Sequence, residues 1–425
     1  IEGIVAFFME STFIAVMFFG WKKVGRGFHL ASTWLTALGA SLSALWILVA
    51  NGWMQYPVGM EFDPEQMRNV MTDFWAVAFS PVAVHKFFHT VFSGWTLAGI
   101  FVIGVSCWFL LKKRNRQMAL DSIKIGGIVG SVGLLITLWM GDSSSVDVAR
   151  VQPMKLAAME GLYEGSCGAP LTAVGILNPE KSYSNDADPY LWHISIPKGL
   201  SFLANHDMDS FVPGINNLVK GYEINACGDT VATTSYAERI AIGKRAHEAL
   251  RAFDRAMAAG DKAAMDSARL VIKENYKYFG YGYLDSPEEA IPPVAVTFYS
   301  FHIMVIIGGY LVAFLLLVMI AVYKKPSMFD RRWLQWLGII SIPLVWICSQ
   351  AGWLVAEFGR QPWVIQDIMP CKAAISAIST SDVIITFVIF AVVFTALLAA
   401  EISIMCRQIS KGSKADYSPS NTAEK

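Results

Sequence analysis

Long apolar runs alternate with polar connections along most of the chain, and the runs have the length of membrane helices. A helix that crosses the hydrocarbon core needs about 20 mostly apolar residues. Seven stretches reach or approach that length: 1–21, 33–53, 82–111, 125–140, 294–323, 333–357 and 383–405. The fourth is short and needs Lys124 to snorkel at its end. In lipid only helices and closed barrels satisfy the backbone, and runs this long mean helices. The pattern predicts an all-α polytopic membrane bundle with seven spanning helices. Four lie in residues 1–140 and three in 294–405, with a polar tail over 406–425.

The connections set the orientation. Lys22, Lys23 and Arg26 follow the first run, Lys112, Lys113, Arg114 and Arg116 the third, and Lys324, Lys325, Arg331 and Arg332 the fifth. Arg407, Lys411 and Lys414 follow the last. The alternate connection over 54–81 carries Glu61, Asp63, Glu65 and Asp73 against a single Arg68. Basic loops stay in the cytoplasm, so these alternate without exception and place the others outside.

The polar stretch over 141–293 then faces outward. Connections of this length are usually functional. Its segments "TTSYAERIAIGKRAHEALRAFDRAMAAGD" and "DKAAMDSARLVIKENYKYFGYGYL" space apolar residues by three and four, which predicts helices, with Asp261 as an N-cap. Cys167 and Cys227 lie in this stretch; a disulfide between them and two free thiols are both open readings.

Composition agrees. Of the 425 residues, 54% are hydrophobic and 16% charged, against about 25% charged in soluble domains. Thirty-four basic residues balance 34 acidic ones, so no net field points to nucleic acid. Six cysteines make no disulfide scaffold, and no Walker, Rossmann or CxxC motif is present.

Ionisable residues inside apolar runs cost roughly 2.5–3.5 kcal/mol on insertion scales and default to function. Here they are Glu2, Glu10, His85, Lys86, His89, His302, Glu357 and Glu401. Glu401, a turn from the inner end of its helix, can simply snorkel. His85 and His89 share a helix face. They could hold one metal, or one could ligate a cofactor, or both could be interhelical hydrogen-bonding groups; spacing alone favours the last. His89 and Met304 lie about 10 and 15 Å below the outer ends of their helices. Histidine and methionine at similar depth can form the axial pair of a low-spin haem, although a lone Met in a helix is usually packing. At the end of the sixth run, "QAGWLVAEFGRQPW" crowds Trp353, Glu357, Arg360 and Trp363 at the outer interface. An aromatic belt explains the tryptophans but not Glu357.

Taken together, "IEGIVAFFMEST", "LSALWILVANGWMQ", "HKFFHT", "VQPMKLAAME", "FHIMV" and "GWLVAEFGRQPW" resemble subunit I of the cytochrome bd quinol oxidase. They cover nearly all the membrane helices in order, and the 141–293 stretch resembles the long form of that family's quinol-binding loop. The resemblance implies that His89 and Met304 ligate low-spin haem b and that Glu357 ligates high-spin haem b. It implies that Glu2 serves the haem d site, where a third haem b is the alternative. Glu10, Ser11 and Ser43 match the proton path from the cytoplasm. Lys155 and Glu160 match the quinol pair, and Asp142 an acidic position opening the loop. Trp353 matches an aromatic residue between haems, and Arg360 and Lys86 suit haem propionates. The family has nine helices in this subunit, so the chain reads as lacking the first two, with one haem-ligating histidine among them. His302 stands where the family usually has arginine, and a titrating group there would make the low-spin potential depend on pH.

The implied activity is quinol oxidation at the outer face of the bacterial inner membrane and four-electron reduction of oxygen to water, with protons taken from the cytoplasm. The implied partners are a second large membrane subunit and one or more small single-helix subunits. The alternatives are a haem b quinol dehydrogenase or electron-transfer subunit that does not reduce oxygen, and a transporter using Glu10 and the histidines as a relay. The sequence leaves ubiquinol and menaquinol equally open.

Overall fold

The computed structural model describes residues 2–412 except 67, 226 and 227. Six described helices are long and apolar enough to cross a membrane. They follow the predicted runs, but several extend further.

The first run forms a short π-helical turn, Glu2–Phe7, leading into α1, Phe8–Phe19. These elements are shorter than the predicted span. Next come α2, Arg26–Gln55, and a hairpin of β1, Met60–Asp63, with β2, Arg68–Met71. The turn α3, Phe74–Ala78, is capped by Asp73, and α4, Pro81–Leu111, is capped by Ser80 with proline at its first position. The fourth predicted span was the short one. In the structure it is the longest helix, α5, Arg116–Val151. Its 36 residues rise roughly 54 Å, more than the hydrocarbon core is thick. The polar residues from Gly141 to Val151 therefore continue the helix, because backbone bonding carries it beyond the apolar stretch. Lys124, paired with Asp121 at 3.0 Å, sits two turns inside it rather than at its end. Glycines let α4 and α5 touch backbone to backbone: a Cβ on Gly99 would lie 2.5 Å from the carbonyl oxygen of Gly126.

The polar stretch over 141–293 is not purely helical. It begins with α6, Pro153–Glu160, which is buried along its length except at its first residue. A short strand, β3, Ser166–Cys167, leads to the hairpin of β4, Leu171–Leu177, and β5, Tyr190–Ile196. Then follow α7, Gly199–Asn205, β6, Phe211–Val212, which pairs with β3, and α8, Ile215–Lys220. The ladder of β7, Tyr222–Ile224, and β8, Thr230–Ala232, comes before the two predicted helices. These are α9, Tyr236–Ala259, and α10, Lys262–Asn275, and Asp261 caps the second by accepting from the N–H of Ala264. Cys227 lies outside the described residues, so its pairing with Cys167 is outside them too.

The chain re-enters the apolar layer as α11, Val294–Lys324, and returns as α12, Arg332–Phe358. A small ladder of β9, Trp363–Ile365, and β10, Met369–Pro370, follows. Ile100, Ile103, Phe314, Leu315 and Val318 are among the residues that form the main core, between α4, α5, α11 and α12. A second core within the 141–293 stretch joins Tyr163, Ile215, Tyr236 and Tyr281 with Trp363. From Ile375 onward the chain is a separate unit whose described helix is α13, Thr380–Lys411, apolar and without buried residues.

Candidate functional site

Polar side chains from four helices meet at one end of the spanning segments. On α2, Asn51 and Gln55 are one turn apart, and the Gln55 amide donates to Asn51 Oδ1 at 3.1 Å. Asn51 donates to Glu357 Oε1 at 2.9 Å and accepts from Lys86 Nζ at 2.8 Å. Glu357 is held on its other oxygen by Arg360 Nη2 at 2.5 Å. Lys155 reaches in from α6, donating to Gln55 Oε1 and to the carbonyl of Ala356, both at 2.9 Å. Glu357, Arg360 and Lys86 thus share one centre. Asn51 and Gln55, which hold it together, escaped sequence reasoning because neutral amides in "LVANGWMQ" carry no charge signal.

Lys155 and Glu160 are not neighbours in this centre. Five residues apart on α6, they turn to different sides. Burial pushes the Lys155 ammonium down to about 7, with the Glu357 carboxylate pulling it up and the Arg360 guanidinium adding to the fall. Burial pushes the Glu160 carboxyl up to about 8, against the pull of the Thr172 N–H. That N–H donates to Glu160 Oε2 at 3.1 Å, whereas Glu160 Oε1 is buried without a partner. Glu160 lines a cavity of about 340 Å³ together with Tyr163, Thr172, Tyr190, His193 and Ser195. The Tyr190 hydroxyl bridges the site, donating to the Glu160 carbonyl and lying 3.1 Å from Thr172 Oγ1.

The two histidines of "HKFFH" part company. His85 Nδ1 lies 2.6 Å from Asp147 Oδ2 on α5. His89 Nδ1 lies 2.9 Å from the carbonyl oxygen of Thr137. A carbonyl only accepts, so Nδ1 of His89 carries the proton and Nε2 is left as a free base, the arrangement a metal-ligating histidine uses. The pair therefore does not converge on one ion, and no cluster of three or more metal-ligating side chains exists among the described residues. Small residues leave room at both expected axial ligands. A Cβ on Gly141 would lie 3.2 Å from His89 Cε1, and one on Gly352 would lie 3.1 Å from Met304 Sδ. Arg360 adds two buried nitrogens without partners, Nε and Nη1. Unused guanidinium donors fit a bound anionic group such as a propionate. These residues fit a haem. Both Glu357 oxygens already accept hydrogen bonds, each keeping one further lone pair for a ligating role.

The remaining expected residues are more scattered. Asp142 lies inside α5, not at the opening of a loop, and His206 Nε2 approaches it at 3.1 Å. Glu10 and Ser11 lie on α1; Ser11 Oγ donates back to the carbonyl of Phe8. Ser43 lies on α2, and Trp353 lies one turn before Glu357 with about a third of its surface exposed. The side chain of Glu2 lies outside the described residues. His302 is buried, with its ring nitrogens 2.8 Å from the Phe298 carbonyl and 2.7 Å from the Thr172 carbonyl.

A second polar chain continues outward from Lys155. Gln152 donates to Gln366, Gln366 to Asp367 Oδ1, and Tyr281 to the same oxygen, each at 3.0 Å. Arg239 on α9 donates to Tyr281 at 3.2 Å and faces the rings of Tyr236, Tyr278 and Tyr281. Burial pushes the Asp367 carboxyl up, with Arg239 opposing.

Such an architecture defines a polytopic helical membrane protein with a buried polar centre near a polar cavity. The sequence matches the family described as cytochrome bd terminal oxidase subunit I over residues 1–413, and the chain belongs to that family. It is 38% identical to cytochrome bd-II ubiquinol oxidase subunit 1 of Escherichia coli (strain K12), covering 100% of this chain and 80% of the relative. Cytochrome bd ubiquinol oxidase subunit 1 of Bacillus subtilis (strain 168) is 28% identical, with 98% and 75% covered. Among solved structures, bd oxidase from Geobacillus thermodenitrificans superposes with a TM-score of 0.71 at 22% identity, covering 97% of this chain and 77% of that one, which shows the shared fold.

Proposed function

We propose that this chain is the haem-bearing subunit of a terminal oxidase that oxidises quinol at the outer face and reduces oxygen to water. The observation that carries the reading is Glu160: a buried carboxyl with one unpartnered oxygen, lining a cavity large enough for a quinol ring. Quinol oxidation releases two protons and two electrons, and Glu160 Oε1 is placed to accept a proton on the outward side. The Thr172 N–H holds Oε2 of the carboxyl, and the Tyr190 hydroxyl holds the backbone carbonyl of the same residue. Lys155 keeps to the other face of α6, where it orients Gln55 and the carbonyl of Ala356 next to Glu357. In this reading it supports the haem side of the site rather than the quinol.

His89 and Met304 would hold low-spin haem b, Glu357 the high-spin haem b, and Arg360 with Lys86 the propionates. Glu2 would serve the third haem, d or b. When bound, haem accepts electrons singly and supports reduction of oxygen. Glu10, with Ser11 and Ser43, would bring protons from the cytoplasm, along α1 and α2. The basic connections support the orientation with the quinol cavity outside. The relatives' designation as subunit 1 supports a second subunit as partner; that partner would be a large membrane subunit, with small single-helix subunits beside it.

The test uses the complete complex with its full-length subunit. Reduced-minus-oxidised spectra are expected to show a low-spin b band that Met304→Leu removes, together with quinol-driven oxygen uptake that Glu160→Gln lowers sharply. A low-spin band unchanged in Met304→Leu would overturn the ligand assignment, and full turnover in Glu160→Gln would overturn the quinol site.

A further inference from the structure

The β4–β5 hairpin has two unlike faces. Register sets them: Thr172 pairs with Ser195, Gly175 with His193 and Leu177 with Tyr190, whereas Leu171 pairs with Ile196, Val174 with Ile194 and Ile176 with Trp192. Successive strand residues point to opposite faces, and irregularities in the ladder between Thr172 and Val174 and between Ile176 and Leu177 shift the alternation there. In the first set, Thr172, Ser195, His193 and Tyr190 line the Glu160 cavity. The second set is apolar, and apart from Leu171, which packs against a small core that includes Leu156 and Leu200, it is uncovered. Val174 is 40% exposed, Ile176 50%, Trp192 52%, Ile194 54% and Ile196 51%. A two-stranded hairpin of this kind is at most marginally stable in water, and an apolar face left bare there has no compensating burial.

The hairpin is fastened to a membrane helix. The N–H of Leu177 donates to the Tyr299 hydroxyl at 3.1 Å, and the Thr172 carbonyl lies 2.7 Å from His302 Nε2. Tyr299 and His302 lie roughly 7 and 12 Å along α11 from Val294, at the rise of an α-helix. On that helix Val296, Tyr299, Ile303 and Ile306 form an exposed stripe at steps of three and four. Tyr299 belongs to this stripe, so the hairpin edge adjoins the surface that α11 presents to lipid. The connection between the strands, 178–189, is polar, with Glu180, Lys181, Asp186 and Asp188. Trp192 is a residue type that favours the headgroup level.

We infer that the apolar face of the β4–β5 hairpin is embedded in the outer leaflet of the bilayer, at the boundary of headgroups and acyl chains. The hairpin is then a wall with lipid on one side and the Glu160 cavity on the other. Under the proposed quinol function, it lets the substrate's isoprenoid tail stay in lipid while its ring enters the cavity.

Spin labelling tests the inference in the complete oxidase, in lipid nanodiscs, with the other reactive cysteines replaced by serine. A nitroxide at Ile194→Cys is expected to relax strongly with oxygen and weakly with a water-soluble nickel complex. A nitroxide at Ser184→Cys, in the polar connection, is expected to show the reverse. Nickel access at Ile194→Cys equal to that at Ser184→Cys would overturn the inference. So would protection from both reagents, which would mean that a partner subunit covers the face. Ile176→Cys, on the other strand of the same face, gives the same readout if Ile194→Cys fails to assemble. A lipid-embedded label together with undiminished turnover in Glu160→Gln would sink the quinol reading and leave the membrane contact standing.

Discussion

Lys155 Nζ donates to Gln55 Oε1 across 2.9 Å, a bond that joins the outward segment to a spanning helix. Glu160, on the same short helix, uses a different partner, Thr172. The two residues share no hydrogen-bonding partner, so their substitutions should act independently. In a double-mutant cycle on kcat/KM for quinol, Lys155→Met and Glu160→Gln are expected to add within about 0.5 kcal/mol. A coupling well above 1 kcal/mol would mean that both touch one substrate, contrary to the geometry.

The pH profile should report Glu160. Its carboxyl is pushed up to about 8, chiefly by burial. The proton-accepting carboxylate is therefore the minor form below that pH and the major form above it. Log kcat/KM for quinol should rise with pH and flatten above about 8, and Glu160→Gln should be low and flat across the range. A profile of wild-type shape in Glu160→Gln would assign the transition to another group.

Added methyl groups should disturb the proposed axial ligands by amounts the spacing dictates. Gly352→Ala places a carbon 3.1 Å from Met304 Sδ, and Gly141→Ala one 3.2 Å from His89 Cε1. Each neighbour must give by a few tenths of an ångström. Both variants should keep a low-spin band with a shifted reduction potential, a milder effect than the loss expected for Met304→Leu. Potentiometric titration of the band measures it, and an unshifted potential in both would place the iron elsewhere.

Arg360→Lys should lower haem content while the fold persists. Lysine keeps a charge for Glu357 but cannot supply the planar fork that leaves Nε and Nη1 free for a second anion. Pyridine haemochrome quantitation against protein mass measures the loss. Unchanged stoichiometry would show that those two nitrogens serve another group.

Much of this protein was legible in one dimension because lipid is an unforgiving solvent. Apolar runs of helix length, and the ionisable residues His89, Lys86 and Glu357 within them, each follow from local sequence against a known membrane thickness. Local capping was legible too, as Asp261 shows. The limits lay in everything that needs a distant partner. The fourth helix outran its apolar stretch, because backbone hydrogen bonds carry it past the point where hydropathy falls. Which nitrogen of His89 is free, and which way His85 turns, depended on Thr137 and Asp147 across a helix interface. The strands of the outward segment were hidden because short ladders such as β4–β5 carry a two-residue period over too few positions, and their pairing is long-range. The separation of Lys155 from Glu160 likewise appeared only once α6 was packed: sequence fixes which residues share a helix, whereas tertiary contacts decide what each face meets.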